Sequence, residues 1–408
     1  MEGEKTLQTA LTEKVRLKVA VIGCGNAGSQ LVAAMYKADT QANDLFCVNT
    51  SRKDMDDQVI PPQIECFLAG TNGRGAGMDR DAGKTAFSAN YEDLLNKQSF
   101  VNMCERNDII IVGASTSGGS GSGIAPILTK ALKMLYPGKI IIFYGILPRL
   151  NASVHELANC RTCVNEIVDI ASSDAHGLPY MLVDLNHFTG VPNETAYPAV
   201  IKKMVRDIQT IRGDFLNYSP LRMIDENDTR VIISPSGLMT IYMVEGITQQ
   251  TLDKTSTNQL LLKEIKNSPA VPIARDGIVD QMAFISNMPR DMEDAAKAGD
   301  YSEILAHVGQ PLSIFENYAI IQGGVGQIIM IASGQSYPVG HMTQIDSILV
   351  KAEEDRKAKL EGRKTYDVGM TGTYEFLQGG SAGADLLDTK QSLSGDERKK
   401  ALKGLFDK

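Results

Sequence analysis

No stretch of this sequence stays apolar long enough to cross a bilayer. The longest run, Ile140 to Leu147, stops at Pro148, whereas a helical span needs about 20 such residues. Cysteine is scarce, six in 408 residues. That is too few for a disulfide framework in a chain of this size, so a reducing, cytoplasmic setting is expected. The first sixteen residues are polar and charged and lack the apolar centre of a secretion signal. Basic residues are not in surplus either: 41 Lys and Arg against 49 Asp and Glu leave a net charge of −8. This argues against direct nucleic-acid binding by the globular part, and no membrane partner is expected. The rest of the composition, 43% hydrophobic and 22% charged, is that of a soluble globular protein long enough for two domains.

Glycine is where the chain is rich, and it is clustered. Residues 113–126 read GASTSGGSGSGIAP, preceded by the apolar run Asp108 to Val112 and followed by Ile124, Ile127, Leu128, Leu132 and Leu135 at helical spacing. The order is therefore buried strand, glycine loop, helix. In such a loop backbone N–H groups turn inward, and the helix start adds partial positive charge, so an anion is held there. Gly118, Gly119 and Gly121 let a phosphate approach the backbone. Ser120 and Ser122 can donate further hydrogen bonds. A Gly/Ser linker is the plain alternative, but linkers are not clamped between a strand and an amphipathic helix.

A second glycine loop, Gly23-Cys24-Gly25-Asn26-Ala27-Gly28, follows the strand Leu17 to Ile22 and has the G-x-G-x-x-G spacing of dinucleotide sites. A nicotinamide-dependent enzyme would carry an acidic residue at the end of the next strand. Here Leu45 to Val48 runs into Asn49-Thr50-Ser51 instead. A third loop, Gly70 to Lys84, ends in Gly-Lys-Thr, but the P-loop pattern needs glycine where Met78 stands. Further on, Met223-Ile224-Asp225-Glu226-Asn227-Asp228 puts two carboxylates three residues apart at a helix start, where they can orient a water. The same pair also fits a capping box. Cys160-Arg161-Thr162-Cys163 invites a zinc reading with His155 or His176, yet two small buried residues on a helix are expected and no metal ligand set is assigned.

Taken together and in order, these loops resemble the tubulin/FtsZ superfamily. Ser117 to Gly123 is similar to its signature GGGTG[ST]G. Gly25 to Gln30 looks like tubulin's GQxGxQ, and Val48-Asn49-Thr50 like the VNT of FtsZ. Gly73 to Gly83 is similar to GxGAGxxPExG, with Arg80 for Pro and Asp81 for Glu. Met223 to Asp228 is similar to NxDxxD without its first Asn. The resemblance, strongest over about 17–235 and nearest to the TubZ-type tubulins of plasmids and phages, implies GTP or GDP with Mg²⁺ at Gly23, Gly25, Asn26, Ala27, Gln30, Asn49, Thr50, Gly75, Ala76, Gly77 and the 118–122 loop. It also implies Glu156 and Asn159 near the ribose and Asn186 near the base. Asp225 and Asp228 would serve the nucleotide of a neighbouring copy, which makes hydrolysis depend on head-to-tail assembly into filaments. An FtsZ-like division filament, a Rossmann-type enzyme that does not polymerise, and a filament without turnover are the alternatives.

The expected architecture is α/β: an N-terminal extension 1–16, a Rossmann-like GTP-binding domain with a parallel sheet at 17–192, and a long central helix at 193–218. A smaller α+β domain with a mixed sheet follows at 219–340, then a charged helix at 341–364 and a flexible tail at 365–408. In the smaller domain, strands are expected at 239–244, 278–286, 314–322 and 327–331, and helices at 259–265 and 292–307. The tail carries Arg398 to Lys403 beside Leu402, Leu405 and Phe406, which could dock on a DNA-bound adaptor or a neighbouring subunit.

Overall fold

Continuous β-branched and apolar runs, buried on both faces, make parallel strands in the first half of the chain. The computed structural model describes residues 16–38, 43–56, 60–70, 72–173, 177–217, 222–271, 278–294 and 301–363. The strands are β1 (Val19–Cys24), β2 (Asn43–Asn49), β3 (Glu65–Leu68), β4 (Ile109–Ser115), β5 (Ile140–Leu147) and β6 (Pro179–Asp184). Between them lie α1 (Gly25–Ala38), α2 (Arg80–Ser88), α3 (Tyr91–Leu95), α4 (Gln98–Arg106), α5 (Ser120–Leu135) and α6 (Val154–Ala171). All five pairings among these strands are parallel, in the order β3-β2-β1-β4-β5-β6. The helices cover both faces, as the crossover rule requires. Each isoleucine of β4 is fully buried, and burying such a side chain contributes about 1.5–3 kcal/mol.

The central helix α7 (Asn193–Arg212) buries Val200, Ile201, Met204, Val205, Ile208 and Ile211, the stripe its period predicts. It stops at Gly213, whose φ of 91° is left-handed, short of the expected 193–218 span. Then come α8 (Glu226–Ile233), β7 (Gly237–Ile247), α9 (Gln249–Leu252), α10 (Thr257–Asn267), β8 (Gln281–Pro289), α11 (Ser302–Val308), β9 (Ser313–Ile321), β10 (Gly326–Gln335) and α12 (Val339–Arg363). The expected helix 292–307 is described only from Ser302 onward as a regular helix, with residues 295–300 outside the described segments.

The mixed strands extend the parallel ones rather than forming a sheet of their own. One ten-stranded sheet runs through both halves. The joint is short: β6 and β7 pair only at Pro179–Gly237 and Tyr180–Leu238. Beyond it, β7 and β8 flank β10 antiparallel, and β9 joins β8 in parallel. Past the joint, α7 stitches the halves from beneath. Lys203 Nζ donates to the Ile241 carbonyl of β7 at 2.8 Å and pairs with Asp207 at 2.5 Å, and the Tyr144 hydroxyl of β5 donates to Asp207 as well.

α12 is anchored at its start, where Ile345 is buried and Ile348 and Leu349 pack on the core, while Leu360 is exposed. Arg161–Asp346 and His341–Asp184 fasten it to the first half. The N-terminal extension and the tail lie outside the described residues. No helix among the described residues is long and apolar enough to cross a membrane.

Candidate functional site

The carboxyl ends of β1, β2 and β4 empty into one concavity, the place where parallel α/β sheets put their ligands. It encloses about 720 Å³ and is lined by residues from six stretches, among them Gly25, Asn26, Gln30, Ser51, Gly75 to Met78 and Ser117 to Gly121. Of the residues expected to bind nucleotide, Gly25, Asn26, Ala27, Gln30, Gly75, Ala76, Gly77, Gly118, Gly119, Ser120, Gly121 and Glu156 reach its wall.

The wall is dense in glycine because side chains would not fit. Gly25 has φ 69°, and a Cβ there would stand 2.7 Å from the Gly121 amide nitrogen. A Cβ on Gly119 would meet the backbone of Asp79 at 2.8 Å and Ala76 at 2.9 Å. At Gly118 a Cβ would meet nothing within 4 Å, so this residue faces the open space of the cavity. α5 begins at Ser120, inside the glycine loop, rather than at Ile124. Gly121 and Gly123 allow this, since a Cβ on either would press the Cys24 or Arg80 carbonyl.

What the loop presents is a helix start without a side-chain cap. By contrast, α2 is capped by Asp79, α6 by Ser153, α8 by Asp225 and α10 by Ser256. Uncapped first-turn amides and the positive end of a 16-residue helix therefore face a cavity, which is the electrostatics an anion requires. The loop is held from behind. Ser122 Oγ donates to the Gly118 carbonyl, and the Thr50 and Ser120 hydroxyls lie 2.5 Å apart.

Several expected residues support the cavity without lining it. Gly23 sits where α1 crosses β1, and a Cβ there would strike the Gly28 carbonyl at 2.1 Å. Asn49 is buried, its Oδ1 accepting from the Ser51 amide at 3.2 Å. Thr50 and Ser122 act through the bonds just named. Asn159 donates to the Ser117 and Met78 carbonyls, at 3.1 and 2.8 Å. Met78 is the one non-glycine residue at positive φ, 66°, among the described residues, and His155 also contacts its carbonyl at 2.9 Å. Two side chains thus fix a strained residue at the cavity's edge. Asn186 turns to the Leu150 amide, 3.3 Å away.

Sequence reasoning missed a wall. Asn193, Glu194, Tyr197 and Pro198, the first turns of α7, line the cavity, as do Ser51, Asp54, Arg74 and Ser115. Asn193 and Tyr197 are spaced i, i+4 at the head of an apolar stripe, the one local signal that they share a face. Burial raises the Tyr197 phenol and the Glu156 carboxylate adds to this, against the Ser115 hydroxyl; the ring is neutral near pH 7. Burial also pushes the Cys24 thiol up to about 12, so it is no thiolate there. Cys160 and Cys163 are both buried, and burial raises both thiols.

Asp225 and Asp228 lie elsewhere. Neither lines the cavity; Asp225 is exposed and Asp228 half-buried, and they form a reciprocal capping box, Asp228 N to Asp225 Oδ1 at 2.8 Å and Asp225 N to Asp228 Oδ2 at 3.2 Å. Their loop is zipped to the sheet's edge strand: Tyr318 N donates to the Arg222 carbonyl, Ile224 N to Asn317 Oδ1, and Arg222 pairs with Glu316.

Residues 18–174 match the family model described as Tubulin/FtsZ family, GTPase domain. Over that segment the chain is similar to the tubulin/FtsZ GTPase domain family, and its relatives include FtsZ, CetZ and TubZ proteins. It is 25% identical to the cell division protein FtsZ of Aquifex aeolicus over 256 residues, 60% of this chain and 65% of that one. It is 26% identical to the tubulin-like protein TubZ of Clostridium botulinum C phage over 257 residues, 62% of this chain and 64% of the relative. In neither alignment does the chain span two thirds of the relative's length. The structure of CetZ2 from Haloferax volcanii, a GTPγS-bound protofilament, superposes with a TM-score of 0.68 at 20% identity, covering 83% of this chain and 100% of that one.

Proposed function

We propose that this protein binds GTP in the glycine-walled cavity and hydrolyses it when copies assemble head to tail. The observation that carries the reading is the separation of the two halves of the chemistry. An uncapped helix start faces a cavity, while the acidic pair at the position of the family's NxDxxD loop lies outside it, Asp225 exposed and Asp228 half-buried. In this reading residues 17–192 form the nucleotide-binding domain, 193–218 the central helix and 219–340 the domain that presents the acids.

The chain's residues divide the work. Amides of Ser120 and Gly121 and the Ser120 hydroxyl hold phosphate oxygens. Asn26, Gln30, Asn193 and Tyr197 offer polar and aromatic contacts to base and sugar, roles first expected of Asn186 for the base and of Glu156 and Asn159 for the ribose. The cavity suits the phosphates because Gly118 leaves room and no side chain caps α5. Mg²⁺ accompanying the nucleotide needs only one or two carboxylates besides the phosphates, and the wall offers Asp54, Glu156 and Glu194. Asp225 and Asp228 of the next copy orient the attacking water, which a lone subunit does not do. GTPγS in a CetZ2 protofilament and a two-stranded TubZ-Bt filament among the neighbours support assembly as part of the reading.

The finer role is positioning of plasmid or phage DNA through an adaptor bound by the tail 365–408. The match to FtsZ supports a division filament equally. Right-angle light scattering over a protein titration with GTP, GDP and ATP tests the common core. Scattering is expected with GTP above a critical concentration; a flat trace, or an equal rise with ATP, would sink the reading.

A further inference from the structure

Strand β9 carries one residue that its sheet does not need. At the register of Asn317 the neighbouring strands contribute Ile285 and Ile329, both buried and apolar, and a β-branched side chain would continue that row. Asn317 is instead a fully buried carboxamide, a group that is costly to bury unless its donor and its acceptor are both met. Both are met by the segment between α7 and α8. Oδ1 accepts from the Ile224 amide and Nδ2 donates to the Asn217 carbonyl, each at 3.2 Å. We propose that Asn317 is a positioning residue for the acidic pair, its carboxamide fixing where Asp225 stands when it meets the nucleotide of the next copy; the inference rests on the hydrolytic reading above.

The contacts converge on the approach to Asp225. Ile224 is buried and immediately precedes it. From the other side, the capping box ties Asp225 to Asp228 through both amide and carboxylate. The box therefore orients the carboxylate within α8, while Asn317 sets where α8 begins against the sheet. One partner of the carboxamide can only donate and the other only accept, so its orientation is fixed. Leucine offers neither group. The Tyr318 amide also bonds the Arg222 carbonyl, two residues before Ile224. That is a backbone bond which survives a change at 317 and keeps the loop seated, so the change shifts the acid rather than releasing it. Asn287 on β8 supplies the comparison. It too is buried, donating to the Phe215 carbonyl at 2.9 Å and accepting from the Asn217 side chain at 3.0 Å. It steadies the chain that leaves α7 and does not bond Ile224.

The test compares Asn317→Leu, Asn317→Ser and Asn287→Leu with wild type in the full chain, and repeats Asn317→Leu in the Asp225→Ser background. GTP turnover is read per assembled subunit, above the concentration where light scattering begins, and GTPγS affinity is read below it. Asn317→Leu and Asn317→Ser are each expected to lower turnover about tenfold, since a misplacement of about 1 Å costs up to about 10²-fold. GTPγS affinity should stay that of wild type. Asn287→Leu should lose stability in urea yet keep its turnover per assembled subunit. In the Asp225→Ser background Asn317→Leu should lower turnover no further, because a residue that acts through the carboxylate has nothing left to act on. Wild-type turnover in whichever Asn317 variant folds overturns the proposal. So does a loss that multiplies in the Asp225→Ser background, an equal loss in Asn287→Leu, a parallel loss of GTPγS affinity, or a failure of both Asn317 variants to fold, each of which makes the role structural. Wild type whose turnover per subunit does not depend on assembly overturns the reading beneath, and the proposal with it.

Discussion

The cavity and the acidic loop are built on opposite plans. In the cavity, six stretches converge, side chains are excluded by glycine, and a helix start is left uncapped with its amides facing inward. At the acidic loop, one short helix is capped at its start by its own carboxylates, Asp225 exposed and Asp228 half-buried, and the loop is zipped to an edge strand. One region is concave and finished as a binding site; the other is convex and finished as a surface. In the proposed reading, the contrast means that the chain holds the parts of a hydrolytic site but presents them to different copies.

The largest effect should come from filling the concave side. Gly119→Val puts a branched side chain against the Asp79 backbone and Ala76, and GTP binding measured by fluorescence should fall by more than about 100-fold. Next, on the convex side, Asp225→Ser keeps an N-cap oxygen but removes the carboxylate. Turnover should drop by about 10²-fold or more with GTP affinity intact. Should Asp225→Ala lower turnover only as far as a lost helix cap lowers stability, and Asp225→Ser not lower it at all, the carboxylate has no chemical part.

Between the two regions, Lys203→Met breaks the buried pair that ties α7 to β7, at about 3 kcal/mol in urea unfolding. Burial holds the Asp207 carboxyl above its usual range even beside Lys203. Its contribution to stability is therefore largest in acid and is lost as pH rises through the folded value, and the variant should show that decline more steeply.

The smallest effect concerns the tether from the cavity's half to the acid helix, Asp108 to Arg230 at 2.8 Å. Burial opposes ionisation of Asp108, but the Arg230 guanidinium and the Lys18 amide outweigh it and hold the carboxyl below its usual range. Its stabilisation is present above that range and lost as pH falls through the lowered value. Asp108→Asn should remove that acid-side loss and cost about 1 kcal/mol or less at neutral pH.

Much of the concave region was legible in sequence, because glycine loops between an apolar strand and an amphipathic helix have few other uses. β1, β4, β5 and β6 are continuous apolar runs and announce themselves. β3 does not: Glu65 to Leu68 is four half-buried residues without alternation. The joint between β6 and β7 is two residue pairs with no local signature. The wall made by Asn193 and Tyr197 was hidden because the stripe of α7 reads as core, and only the fold shows that its first turns reach a cavity.

GTP turnover per subunit across a protein titration tests the central claim most directly. If the acids of one copy complete the site of the next, turnover per subunit is near zero at low concentration and rises steeply at the concentration where light scattering appears. Asp225→Ser should scatter in the same range with little turnover. A turnover per subunit that is constant from dilute to concentrated protein would contradict the account, for it would place the whole hydrolytic site within one chain.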